Sequence, residues 1–504
     1  MSLTYWHRLL IFIAIAVLLF GSQATIAESL LLDINQPVKM NQKSEVNNQV
    51  YWLDLAENAW LYFLPDAGVD SLTGLHNSEL NHRGFTDWDL GVYIQAIVDA
   101  AKLGIIENET LWGFDYRIDK VLSFLENRPL SDNGTPYVWY SSVTGQNTTN
   151  EVQIAADAGN LFTALNEVKQ YRPIFSSRID NIVYNVTNYE KLRQAVGTLS
   201  RSVNIYDYYV SASFATFWPD QFIEETNTIL SNITNSSTIT YEGVELPKAK
   251  LMCEPLLLAI FNLGYNRDLM DLARTVYLAH EAYYNSTGNF VAFSEGNPRG
   301  VANCYIWEWV IIPSGETWVI QKDENTEIDT TPVVFLKAAV GLYGLFETQF
   351  TQNMVNDLIG DLSTNTGFLE GKSETGQVVS SLSDKTNSMI ISTARYNIEK
   401  TYTTTIDTNQ TTITTTAPSP SNPIITENTL KPNATIAQTP QPTTNEPTTT
   451  PSPTIPELTT TTITLLAIAT TIGTIIGLKK NQRKTNKLKL MVGRAGLGPA
   501  TFGS

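Results

Sequence analysis

The chain has 504 residues, 42% of them hydrophobic and only 16% charged, against roughly 25% charged in an average globular protein. That is apolar material enough for a full core, with Thr, Asn and Ser left to keep the surface wet. Of 33 Lys and Arg, one lies in the first 27 residues and seven in the last 26, so the remainder sets 25 bases against 50 acids. A body this acidic repels a phosphate backbone, and nucleic acid is not expected as a partner.

Taken in chain order, residues 1–27 read as a secretory signal: His7 and Arg8, an apolar run over 9–20, then small residues ending Thr25-Ile26-Ala27. Residues 28–46 read as a linker. From 47 to 398 two kinds of helical pattern alternate. One is amphipathic, over 48–63, 112–126, 174–185, 219–231, 267–284 and 352–362. The other is apolar on most sides, over 87–103, 157–168, 207–217, 254–263, 331–346 and 386–396. Six of each in strict alternation predict an inner ring of helices sheathed by an outer one, an all-α (α/α)6 toroid. An open solenoid of helix pairs fits less well, because no fixed sequence period links the pairs. The longest interruption, 285–328, holds β-branched and aromatic residues on both sides of Pro313-Ser314-Gly315, which predicts a β-hairpin on the rim.

Beyond the body the composition changes. Residues 399–457 are rich in Thr, Pro, Ser and Asn and predict an extended stalk without a core. Residues 458–478 carry no charge and are followed by Lys479, Lys480, Arg483 and Lys484. They read as a transmembrane helix or a surface-sorting signal, with 479–504 a basic cytoplasmic tail and the body outside the cell. Nine Asn-x-Ser/Thr sites agree with an exported chain. The expected location is therefore the cell surface, anchored in the plasma membrane by one C-terminal span. Cys253 and Cys304 are either one disulfide or two thiols; no spacing rule decides between them.

The chemistry is most legible just before each inner helix. The chain reads Thr86-Asp87-Trp88-Asp89, Ala156-Asp157, Tyr206-Asp207-Tyr208, Cys253-Glu254-Pro255, Asp329-Thr330-Thr331-Pro332 and Asp384-Lys385-Thr386-Asn387. Asp, Thr and Asn are good N-caps, which explains the residue types. If the six helices run parallel, their starts also share one mouth of the ring. A mouth lined with carboxylates and aromatic rings suits glycosidic bond cleavage, where one carboxyl protonates the leaving oxygen and another attacks or activates water. Glu295 and Glu370 lie in turn-rich loops and are further acid candidates. In Trp307-Glu308-Trp309 the strand alternation aims either the acid or the two rings at the mouth, not both. The four histidines form no ligand-like pair, so neither a metal site nor a cofactor is expected.

These segments resemble a known family. Phe85-Thr86-Asp87-Trp88-Asp89-Leu90-Gly91, Asp157-Ala158-Gly159-Asn160-Leu161, Tyr206-Asp207-Tyr208-Tyr209, Glu254-Pro255-Leu256-Leu257, Ser294-Glu295-Gly296 and Thr386-Asn387 follow one another as in an uncharacterised, glucoamylase-like prokaryotic domain family of the six-hairpin glycosidase group. The resemblance covers roughly 47–398 and implies the (α/α)6 fold and a carbohydrate-related role. Together these readings predict a monomeric, surface-tethered, glycoside hydrolase-like protein. Asp89, Glu254 and Glu295 are the acid/base candidates. Asp87, Trp88, Asp157, Asp207, Tyr208, Trp307, Glu308, Glu370 and Asn387 are expected to hold the sugar. The alternative is a carbohydrate-binding or structural envelope protein without catalysis.

Overall fold

The computed structural model describes residues 42–323 and 326–410, with side chains from 48 to 400. The expected signal, anchor and basic tail lie outside the described residues, as does the stalk beyond 410. Among the described residues no helix is long and apolar enough to cross a membrane.

Helices dominate: α1 (Gln42–Trp60), α2 (Asp87–Lys102), α3 (Phe114–Asn127), α4 (Ala155–Tyr171), α5 (Ser176–Asn181), α6 (Glu190–Val196), α7 (Ile205–Ala215), α8 (Pro219–Thr234), α9 (Cys253–Asn262), α10 (Arg267–Thr287), α11 (Leu336–Phe346), α12 (Gln349–Leu362) and α13 (Asp384–Gln410). Helix α2 packs on α4, α4 on α7, α7 on α9, α9 on α11, α11 on α13, and α13 again on α2, so six helices close a ring. Outside it, α1 lies on α13, α3 on α2, α5 on α4, α8 on α7, α10 on α9 and α12 on α11. This is the packing order of an (α/α)6 toroid.

The sequence explains which helix goes where. All ten residues of α9 are buried, since Cys253-Glu254-Pro255-Leu256-Leu257-Leu258-Ala259-Ile260-Phe261-Asn262 has no solvent face. Outer helix α8 buries only Phe222, Thr226, Ile229, Leu230 and Ile233, one stripe at helical spacing. Each large aliphatic side chain so enclosed contributes about 1.5–3 kcal/mol. Where α2 meets α4 the backbones touch: a Cβ on Gly91 would lie 2.6 Å from the carbonyl carbon of Asn160, so no larger residue fits there. Caps set the helix starts. Thr86 and Asp89 form a reciprocal capping box on α2, and Asn266 accepts from the amides of Asp268 (2.9 Å) and Leu269 (3.2 Å) at α10.

The two faces of the ring differ. Connections from inner to outer helices are short, at 103–113, 172–175, 216–218, 263–266 and 347–348. Those from outer to inner helices are long, and the strands lie in them. Ile306–Ile311 and Thr317–Asp323 form the expected hairpin about Pro313-Ser314-Gly315, with Trp309 opposite Val319. It is not alone, which corrects the expectation of a single hairpin. Glu295–Gly296 and Thr326–Glu327 extend it to four strands, Val333–Phe335, Gly371–Ser373 and Val378–Val379 form a second sheet, and Thr238–Tyr241 pairs with Val244–Pro247. Strands of two or three residues leave no alternation to read in a sequence. The disulfide is not formed: both cysteines are free, and Cys253 is buried with its sulfur 4.0 Å from His280 Nε2.

Candidate active site

The starts of the six inner helices gather at one end of the ring. Lys385, second residue of α13, pairs with Asp89 in the first turn of α2, and Lys337, second residue of α11, pairs with Glu254 in the first turn of α9. Asp157 of α4 lies within the fields of Asp89, Asp87, Lys385 and Glu295. Tyr206 of α7 lies beside Glu295 and Glu254. The long loops complete the mouth. The edge strand Glu295–Gly296 brings in Glu295, and the turn before Gly371–Ser373 brings in Glu370, whose carboxylate rests on Gly296 so closely that a Cβ there would be 3.0 Å from both of its oxygens. A cavity with room for about one water lies among the inner helices, between Glu254, Lys385, Asn160, Ser388, Gln95 and Asn262.

Environment sets the carboxyls apart. Asp157 is crowded by protein yet keeps part of its surface open. Burial, then the Asp89 and Asp87 charges, push its pKa up to about 8. Among the described residues nothing hydrogen-bonds to it. Glu295 is buried, and burial and the neighbouring Glu254 raise it above the usual carboxylate range, against the pull of Lys337 and Lys385. Burial likewise carries Glu370 up to about 7, and its Oε2 has no partner. Asp89 goes the other way: although burial opposes ionisation, Lys385 and the Thr86 amide hold it below its ordinary value. Both its oxygens are committed, Oδ1 to Lys385 and Oδ2 to the Thr86 amide (2.9 Å) and hydroxyl (3.1 Å). Glu254 accepts from Ser294 Oγ (3.1 Å) besides its lysine.

Of the expected residues, Asp89, Asp157, Glu254, Glu295 and Glu370 therefore come together. Trp88 is nearby, 94% buried, its ring 5.7 Å from that of Tyr206 and its indole N–H without an acceptor. Trp307 stands 4.9 Å from Tyr305, which itself lies among Glu295, Glu254 and Tyr206. The strand alternation resolves in favour of the rings: Trp309 meets Tyr206 at 6.1 Å, and Glu308 points into the body, where it accepts from the Val333 amide (2.8 Å). Glu308 is therefore corrected from a mouth residue to a buried one. Three more expectations are corrected. Asp87 is locked to Arg128 at 2.5 Å with both side chains enclosed. Asn387 spends its amide on Phe368 N (2.8 Å), Phe368 O (3.1 Å) and Ser383 O (2.8 Å), tying α13 to the neighbouring strand. Tyr208 is buried on the side of α7 that faces Asp268 of α10. Asp207 accepts from Ser202 Oγ at 2.5 Å, next to its own helix start.

Sequence reasoning passed over the cations. Lys337 interrupts an otherwise apolar run, Val333-Val334-Phe335-Leu336-Lys337-Ala338-Ala339, and is 99% buried. A lone lysine in such a run signals a buried partner. Lys385 lies within the helix-start motif Asp384-Lys385-Thr386-Asn387, where its charge marks a partner for one of the acids. On the rim, Arg299 grips both oxygens of Glu79, from Nε at 2.6 Å and Nη2 at 2.7 Å. Behind Asp89, His76 and Asp384 pair at 3.0 Å with both side chains fully enclosed.

Comparison with solved structures gives this architecture a class. The fold is similar to a glucoamylase-like protein of Bacteroides caccae (TM-score 0.51, 14% identity, 69% of this chain and 94% of that one) and to an endo-β-1,2-glucanase of Chitinophaga pinensis solved with sophorotriose and glucose (0.51, 14%, 69% and 92%). A second glucoamylase-like protein, from Bacteroides fragilis, matches at 0.50 with 13% identity over 70% and 92%. These are six-hairpin glycosidase-like folds. The chain itself belongs to the DUF3131 family of proteins of unknown function, which it matches over residues 54–400. No curated protein matches it.

Proposed function

We propose that the chain is a glycoside hydrolase-like protein in which Asp157 is the proton donor and Glu295 the base or nucleophile. One observation carries this reading: within a single mouth, Asp157 is partly open and has no hydrogen-bond partner among the described residues, with burial and the Asp89 and Asp87 charges pushing its pKa up to about 8, while Glu295 lies beside the ammonium groups of Lys337 and Lys385. Glycosidic cleavage requires an acid and a base or nucleophile within one site. Asp89 and Glu254 then serve by holding the two lysines. Tyr206, Tyr305 and Trp307, each only half-buried, offer flat faces for sugar rings, and Trp88 and Trp309 back them from within. The glucanase and glucoamylase likeness supports a glucan as the first substrate to try.

The test is a reducing-end assay of the full chain on a panel of α- and β-glucans, β-1,2-glucan included. Asp157→Asn and Glu295→Gln should each slow cleavage by about 10²–10⁴-fold, the usual contribution of a positioned acid or base. Cleavage undiminished in both variants defeats the assignment. A second reading, a binder that does not cut, is favoured by one feature: Asp89 and Glu254 are already neutralised by lysines. Glycan binding without any hydrolysis would select it. The signal-like 1–27 and the uncharged 458–478 further support an exported, membrane-anchored protein, to be checked by fractionating cells and by protease access to the body.

A further inference from the structure

Two lysines on the loop that leads into α9 are left without an acid. Lys337 and Lys385 are each held by a carboxylate, and Arg299 at the rim is held by Glu79. Lys250 is not. Its backbone fixes it between the approach to α7 and the hairpin: the amide donates to Val203 O (2.9 Å), the carbonyl accepts from Ile205 N (3.1 Å), and the next residue, Leu251, donates to Ile311 O (3.1 Å). The half-buried side chain lays its ammonium over the face of Trp309, 4.9 Å from the ring centre. Among the described residues no carboxylate and no hydrogen-bond acceptor meets it, so its N–H donors are left for a ligand or water. The indole N–H of the same Trp309, a side chain 96% buried, also has no acceptor among them. Lys248 stands beside Gly315 at the tip of the hairpin, where a Cβ would come within 3.2 Å of its Cε, and it too has no acid partner among the described residues. From Lys250 the wall runs through Trp309 to Tyr206, their rings 6.1 Å apart, and Tyr206 lies beside Glu295. The unpaired ammonium therefore shares a wall with the proposed base.

Resting on the glycan reading above, we propose that Lys250, backed by Trp309 and with Lys248 further out, is a subsite for an anionic substituent, so that the glycan taken by this mouth carries carboxylate or sulfate groups. An ammonium seated on an aromatic face has already given up part of its water, and an arriving anion gains a charge-assisted hydrogen bond from it. Lys337 and Lys385 cannot supply this contact, because leaving Glu254 or Asp89 would strand a buried carboxylate. The chain as a whole carries a net charge of −17, so its long-range field disfavours an acidic polymer. A preference for one has to come from a local cation, and Lys250 is such a cation on the wall that leads to Glu295.

The experiment measures binding and cleavage of paired polymers by the full chain. Polygalacturonate and polyglucuronate are each set against the same polymer with its carboxyls reduced to primary alcohols, and sulfated laminarin against its unsulfated parent. The acidic member should bind at least threefold tighter in one pair or more, and the two arms tell whether carboxylate or sulfate is read. A smaller preference in every pair, or no binding at all, overturns the proposal; if the neutral members are then cleaved, the hydrolase reading stands without it. Acidic binding with no cleavage has the opposite meaning: the subsite stays and the hydrolase reading goes. Lys250→Met keeps an aliphatic stem over Trp309 and removes the charge, and it should cut the acid-to-neutral affinity ratio to less than half its parent value. Lys250→Arg should keep more than half. A ratio that survives in the Met variant, or falls equally in both, overturns the assignment to Lys250. Salt supplies a measurement that needs no variant: from about 50 to about 500 mM the parent ratio should fall at least twofold as the ion pair is screened, and a smaller fall counts against the proposal.

Discussion

Asp157→Asn should make the protein more stable at neutral pH while abolishing its proposed activity. Burial and the Asp89 and Asp87 carboxylates raise the Asp157 pKa from 3.8 to about 8. Between those values the unfolded chain has already released a proton that the folded one retains. Stability therefore falls as pH rises, by about 1.4 kcal/mol per pH unit for this one group. At pH 7 the accumulated cost is about 4 kcal/mol, reduced to roughly 2–4 kcal/mol by water on the carboxyl's open side. Asparagine has the shape of the protonated acid and does not titrate, so it escapes the cost. Urea unfolding of parent and variant at half-unit steps from pH 4.5 to 8 reads the difference. The two should be nearly equal at the acid end, and the variant's advantage should widen steadily toward pH 8. A gap that stays flat with pH, or a variant less stable than the parent at pH 7, refutes the assignment of a raised pKa to this residue.

Removing Lys385 as Lys385→Met strands a buried Asp89 carboxylate and should destabilise the fold by about 3–5 kcal/mol, measured by the shift of the urea midpoint. Gly296→Ala puts a methyl 2.7 Å from Phe335 and 3.0 Å from both Glu370 oxygens. The displaced Glu370 should lower glycan binding at least tenfold in a protein that still unfolds cooperatively, and unchanged binding would show that Glu370 takes no part. The denatured protein should titrate two thiols without reductant, Cys253 and Cys304; none would show that they are bridged.

Burial on all sides leaves a plain mark on a sequence, and for that reason α9 and α11 are readable as inner helices from composition alone. The shared mouth is readable too, because N-cap preferences put acids at helix starts and ring closure brings those starts together. What is hidden is the partition of roles among similar acids. Asp87 and Asp89 stand two residues apart, yet one faces Arg128 behind the helix and the other Lys385 across the mouth. That choice depends on where residues some 40 and nearly 300 positions away arrive. Asp157 looks like an ordinary first-turn aspartate, and its character comes from the charges folded around it. Glu308 and Trp309 illustrate the converse: alternation gives two options, and only the packing of the sheet against Tyr206 selects between them.

The inequality of the two faces has an evolutionary consequence. The reacting groups at helix starts are fixed by the closed ring, whereas the approach to them is shaped by segments such as 128–154 and 288–335. Insertions, deletions or grafts in those segments would recontour the entrance and alter which saccharides are admitted without disturbing the acids beneath. The opposite side, with joints as brief as 216–218 and 347–348, has less slack to absorb added residues. Length variation among relatives should therefore concentrate at the front, and swapping front segments between them is the natural way to redirect selectivity.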